Sequence, residues 1–123
     1  MTDETFLFDT YALIELLNKN PNYEKYVNCR IFVSDFIFAE FCYKVINEGI
    51  LNGESLLNEI IPAIIYPSYD VIKKAMEFRV KNKKKEMSMT DCISYIMAKE
   101  LGINFLTGDK QFENLDGVEF VRK

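Results

Sequence analysis

Four carboxylates stand in settings where carboxylates are uncommon. Asp9 directly follows the apolar run "FLF" (Phe6 to Phe8), and Asp109 follows the apolar "INFLT" with only Gly108 between. Glu40 lies in "FIFAEFCYKVI", Phe36 to Ile46, where only Glu40 and Lys44 are charged. Asp91 sits near the head of "SMTDCISYIMAKELG", Ser88 to Gly102, which carries no further charge until Lys99. If such acids meet, they raise one another's pKa and oppose folding unless a cation neutralises them. Mg²⁺ and Mn²⁺ are the natural partners, being hard ions that take oxygen ligands and keep several waters. An ion so held can activate a water and stabilise charge on a phosphate oxygen, which is the chemistry of phosphodiester hydrolysis. It needs no histidine, and this chain has none. That absence excludes Ser-His and Cys-His nucleophile systems and most zinc enzymes.

Each acid also has a plain structural reading. Asp9 is in position to cap a helix, and Asp109 to stabilise a turn beside Gly108. Glu40 has Lys44 four residues on, along a polar stripe that continues to Glu48. Ser88-x-x-Asp91 has capping-box spacing, and an acid in a first helical turn is favoured by the helix dipole. The apolar stripe Met89, Cys92, Ile93, Ile96 and Met97 leaves Asp91 opposite, but the face of Asp91 continues as Tyr95 and Ala98, without charge. A helix apolar on two sides is usually covered on both.

The elements that must position these residues follow from periodicity. Strands are expected at Phe6 to Phe8, Arg30 to Val33, Ala63 to Pro67, Ile103 to Thr107 and Val118 to Val121. Between them lie helical patterns: "YALIELLNKN" up to Pro21, a short "YEKYV", a long helix opened by Ser34 and running to about Asn47, "ESLLNEII" up to Pro62, and "YDVIKKAMEFRVKNK" capped by Ser68. The stretch from Ser88 gives a further helix ended by Gly102, and "DKQFENL" a short turn or helix. Apolar strands alternating with helices indicate an α/β fold: three layers around a doubly wound, mostly parallel sheet of about five strands. In such sheets the active crevice lies beyond the carboxyl ends of the strands, where the winding reverses. If strands one and four are neighbours there, Asp9 and Asp109 face the same crevice. Asp91 comes near it because its helix runs back to the start of strand four.

A chain of 123 residues, 49% hydrophobic and 28% charged, suits one soluble domain over residues 1–123. No apolar run approaches a membrane span, and the acidic head "MTDETFLF" lacks the basic start of a signal peptide, so a cytoplasmic location is expected. Cys29, Cys42 and Cys92 are widely spaced among apolar neighbours, the pattern of reduced core thiols. The net charge of −4 argues against nucleic-acid binding by bulk charge, yet seven of the fifteen basic residues fall between Lys73 and Lys85.

In order and spacing, "FLFDTYALIELL", "FIFAEFCYKV", "SMTDCISYIMAKELG" and "INFLTGDKQF" resemble the four successive motifs of the PIN domain, and the resemblance covers nearly the whole chain. It implies a metal-dependent ribonuclease whose acidic cluster of Asp9, Glu40, Asp91 and Asp109 surrounds Mg²⁺ or Mn²⁺. Thr107 matches the hydroxyl residue two before the last acid, and Thr10 the small polar residue after the first. Gly108 departs from the family, where a larger, often basic residue is common. Many small members are VapC-like toxins of toxin–antitoxin pairs, so the resemblance also implies an RNA substrate, a homodimer and a cognate antitoxin protein. Lys81, Lys83, Lys84 and Lys85, just ahead of the helix bearing Asp91, become candidates for holding RNA phosphates, against the plainer reading of a solvated helix end. The main rival is a PIN-like module that binds RNA or protein without cutting. A haloacid-dehalogenase-like phosphatase needs a second acid where Tyr11 stands, and a receiver-like domain needs a phosphoacceptor Asp after strand three, which ends "IIYPS".

Overall fold

The computed structural model describes residues 4–122. Part of the acidic head, residues 1–3, lies outside the described residues, as does residue 123. Five strands, β1 (Thr5–Phe8), β2 (Arg30–Ser34), β3 (Ile64–Ile65), β4 (Asn104–Thr107) and β5 (Val118–Phe120), form one sheet in the order β3-β2-β1-β4-β5. Every pairing is parallel. The helices α1 (Thr10–Leu17), α2 (Asp35–Glu48), α3 (Gly53–Ile60), α4 (Tyr69–Lys81) and α5 (Met89–Leu101) cover both sides of it. The fold is the three-layer α/β arrangement that the alternation of strands and helices indicates.

The differences from the sequence reading are at element ends. The third strand is only Ile64–Ile65, because Ile61–Ala63 is drawn into a 3₁₀ turn around Pro62. The segment around "YEKYV" is a 3₁₀ helix, Pro21–Tyr26, and so is Lys110–Phe112 after the fourth strand. Helix α4 stops at Lys81, where the Asn82 side chain donates to the Phe78 carbonyl and closes the last turn. Serines cap the helices where expected: Ser34 accepts from Ile37 N, Ser68 from Val71 N and Ser88 from Asp91 N, each cap contributing ~1 kcal/mol. Gly102 ends α5 at φ +71°, a conformation costly for a side-chain-bearing residue.

The central strand β1 is sealed between β2 and β4. Leu7 pairs with Phe32 on one side and Phe105 on the other. Phe8, Leu13, Phe41, Phe105 and Leu106 are fully buried around it. This register carries Asp9, the next residue beyond Phe8, to the point where Ser34 ends β2 and Thr107 ends β4. All three cysteines are free, and burial pushes the Cys92 thiol up to about 11, which keeps it protonated and inert. No helix among the described residues is long and apolar enough to cross a membrane.

Candidate active site

The chain reverses its winding at β1, with β2 to one side and β4 to the other, and Asp9 stands at that point. Its carboxylate is 1% exposed, a position that is costly for a charge without hydrogen bonds. It has them. Oδ1 accepts from Ala12 N at 2.8 Å, making Asp9 the N-cap of α1, and Oδ2 accepts from the Thr107 hydroxyl. The plain capping role is therefore real, and the second oxygen is held from across the sheet. Thr107 is itself fully buried, and its Oγ1 accepts from Asp109 N at 3.0 Å. One threonine thus links the first and last acids, fixing the chain direction after β4.

Glu40 does not pair with Lys44. Lys44 pairs instead with Glu48 at 3.5 Å, while Glu40 Oε1 accepts from Thr10 Oγ1 at 2.7 Å. The small polar residue after Asp9 therefore ties α1 to the acid of α2. Asp91 occupies the first turn of α5 and completes a cleft of about 580 Å³ whose walls include Asp9, Thr10, Glu40 and Asp91. Its carboxyl is pushed up to about 8, first by burial and then by the charges of Asp9, Glu40 and Asp109, with the Ser88 cap pulling slightly the other way. Tyr95 and Ala98, further along its face, are buried. The uncharged face that the sequence reading singled out is covered.

Asp109 is drawn elsewhere. Its Oδ1 caps the short 3₁₀ turn by accepting from Gln111 N at 2.9 Å, and it lines a second depression with Gly108, Lys110 and Arg122. Tyr11 lines both this depression and the acid cleft. Asp9, Glu40 and Asp91 therefore share one cleft, while Asp109 lines the neighbouring depression and its charge still reaches Asp91.

The donor types suit a hard divalent cation, since the cleft offers carboxylates and hydroxyls and no imidazole. The arrangement is nevertheless not a ready cage: among the described residues no group of three or more ligating side chains is set to hold a metal ion. The reason is visible in the hydrogen bonds. Asp9, Glu40 and Asp109 each direct an oxygen at a capping amide or a threonine hydroxyl, and like charges without a counter-ion gain nothing by converging.

Of the four lysines, Lys83 and Lys85 line a third depression together with Arg79, and this one meets the acid cleft at Ser88. Lys81 ends α4, and neither it nor Lys84 is among the residues of that wall. Two positioning contacts escape sequence reasoning. Arg79 Nε donates to the Met87 carbonyl at 3.0 Å, holding the segment that leads into α5. Ser34 and Ser94, both fully buried, share a hydrogen bond of 2.8 Å between the start of α2 and the middle of α5. That bond sets the helix of Glu40 against the helix of Asp91. Ser94 lies within an apolar stretch, which hints at a buried polar contact but does not name the partner.

A parallel α/β sheet with acids collected beyond its central strand defines a class of crevice proteins. Within that class the PIN domain family model matches residues 6–118, and the chain belongs to the PIN-domain family. Solved structures agree in fold. A toxin–antitoxin complex from Klebsiella pneumoniae is 20% identical, with a TM-score of 0.72 over 93% of this chain and 95% of that one. VapC20 of Mycobacterium tuberculosis, described as a sarcin–ricin loop cleaving toxin, is 16% identical, with a TM-score of 0.75 over 94% of this chain and 98% of its own. VapBC2 of Rickettsia felis, bound to a promoter DNA fragment, is 18% identical, with a TM-score of 0.72 over 95% and 98%. No curated protein matches the sequence.

Proposed function

We propose that this chain is a single-domain, metal-dependent endoribonuclease and the toxin of a toxin–antitoxin pair. The observation that carries the reading is the strand order: with β1 between β2 and β4, Asp9, Glu40 and Asp91 share one cleft. Asp9, Asp91, Asp109 and Glu40 are the residues that would hold Mg²⁺ or Mn²⁺. A divalent cation there supplies neutralisation of the acids and polarisation of a phosphoryl oxygen. The chain's own residues supply the rest. Thr107 and Thr10 orient the Asp9 and Glu40 carboxylates. Asp91, whose carboxyl is pushed up first by burial and then by the neighbouring acids, is the acid that a bound cation would hold ionised. Lys83 and Lys85 hold RNA phosphates in the adjoining depression, and Lys81 and Lys84 add charge at its margin.

The toxin reading draws on the fold's likeness to toxin–antitoxin proteins from several bacteria. It also accounts for an apolar stripe that starts at the cleft wall with Tyr43 and continues along α2 to Ile46, 77% exposed. An antitoxin segment lying across the cleft would cover it. A homodimer in the cytoplasm completes the proposal, and sedimentation as a monomer at micromolar concentration counts against the dimer.

The test of function is incubation with total RNA in Mn²⁺. Wild type is expected to give discrete fragments, while EDTA, Asp9→Asn and Asp91→Asn each stop cleavage at least a hundredfold. Replacing Lys83 and Lys85 with glutamine should weaken RNA binding and flatten its salt dependence, by ~0.7 in log–log slope for each lost contact. Tight RNA binding without fragments in any divalent metal would instead favour the non-cutting module. The lack of three converged ligands among the described residues is the observation on that side.

A further inference from the structure

Tyr11 is the second residue of α1, two positions after Asp9. The helix packs its Ala12 and Leu13 completely into the core, yet Tyr11 keeps 44% of its surface exposed. The ring forms part of the wall of the acid cleft on one side and of the depression holding Asp109, Lys110 and Arg122 on the other. Lys44 Nζ stands 5.8 Å from its centroid, and Lys44 also lines the acid cleft. An aromatic ring thus borders both the cleft of Asp9, Glu40 and Asp91 and the depression of Asp109, Lys110 and Arg122, with the Lys44 ammonium near it.

A phosphodiester chain that delivers one phosphate to the acid cleft has two neighbouring phosphates to place: one lies past Ser88 towards Lys83 and Lys85, and the other passes over Tyr11 towards Lys110 and Arg122. On that path the acids repel phosphate, and Lys110 and Arg122 attract it. The base between the two phosphates then lies against the exposed ring. Stacking on tyrosine requires a base free of its partner and tolerates any base identity, because every base presents a π face. We propose that Tyr11 is a nucleobase platform that positions the nucleotide next to the scissile phosphate, with Lys110 and Arg122 receiving the following phosphate, so that the substrate is unpaired at that step. The proposal rests on the ribonuclease reading above and adds the residues that set the local register of the RNA.

The experiment measures binding of a fluorescein-labelled oligoribonucleotide of mixed sequence to the full chain, with Asp91→Asn present throughout so that the RNA survives. The oligonucleotide is used intact and with a single abasic residue moved along it. Against it are set the tyrosine protein, Tyr11→Phe and Tyr11→Leu, with a thermal melt of each. Tyr11→Leu is expected to bind about tenfold more weakly, in the range of one lost base stack, and Tyr11→Phe to bind within about twofold of the tyrosine protein. One abasic position should cost the tyrosine protein a similar factor, and should cost Tyr11→Leu nothing. A structural role for the ring cannot produce that cancellation. Equal affinity for Tyr11→Leu, an abasic penalty that persists in it, or a duplex bound as tightly as the single strand overturns the platform alone. If Tyr11→Leu melts early, an abasic scan that is flat in the tyrosine protein overturns it equally. Failure of every protein to bind RNA overturns the ribonuclease reading, and the platform with it.

Discussion

One helix, α5, serves two regions whose requirements are opposite. Its middle carries Tyr95 into an aromatic group formed by Phe78 of α4, Phe105 of β4 and Phe112 after β4, with ring centroids 5.1 to 6.3 Å apart. The Tyr95 hydroxyl donates to the Asp116 carbonyl at 2.6 Å, so the one polar atom brought inside has a partner. Its first turn carries Asp91 into the acid cleft, where burial first, and then the charges of Asp9, Glu40 and Asp109, push its carboxyl up to about 8. The first region lowers the free energy of the fold as it stands. The second raises it, and is relieved only by a proton or a cation. A site intended to receive positive charge must be somewhat unstable before that charge arrives.

Breaking the aromatic region has the largest expected effect. Tyr95→Ala removes the ring shared by α4, β4 and α5 and should cost about 3–5 kcal/mol, read from the midpoint of urea unfolding. A loss below ~1 kcal/mol would mean that the group collapses around the gap and does not hold α5.

The acid region responds with the opposite sign. Without metal, Asp91 is protonated in the folded chain up to about 8, but ionises near its ordinary 3.8 when unfolded. Over that window the folded state binds more protons, so stability falls as pH rises from about 4 to about 8. Asp91→Asn removes this dependence. It should match wild type near pH 4 and exceed it at pH 9 by on the order of 5 kcal/mol in thermal or urea melts, at about 1.4 kcal/mol per pKa unit. Mn²⁺ should stabilise wild type by about 2.7 kcal/mol at a hundredfold excess over Kd and the variant by less. An Asp91→Asn protein that is less stable than wild type at pH 9 would make Asp91 a helix-capping acid and nothing more.

The smallest change tests the link between helices. Ser94→Ala breaks the bond to Ser34, whose oxygen still caps α2 through Ile37 N. Stability should fall by only ~1 kcal/mol, while cleavage falls several-fold, since small shifts of catalytic groups cost rate steeply. Equal, small losses in both would assign the serine pair to packing alone.

Much of this was legible along the chain. The alternation of short apolar strands with helical periodicity identified the α/β layers, the serines marked three helix starts, and the four acids stood out against apolar surroundings. These signals are local, set by a repeat of two or of 3.6 residues and by capping chemistry within one turn. What the tertiary structure decided is which distant residues meet. Thr107 reaches Asp9 across 98 positions, Ser34 reaches Ser94 across 60, and Thr10 takes Glu40 away from Lys44 across 30. It also set Asp109 in the neighbouring depression, and left Lys83 and Lys85 beside the cleft without Lys81 and Lys84. Such pairings depend on strand order and register, which bring together ends of elements far apart in the chain, and no local period encodes them.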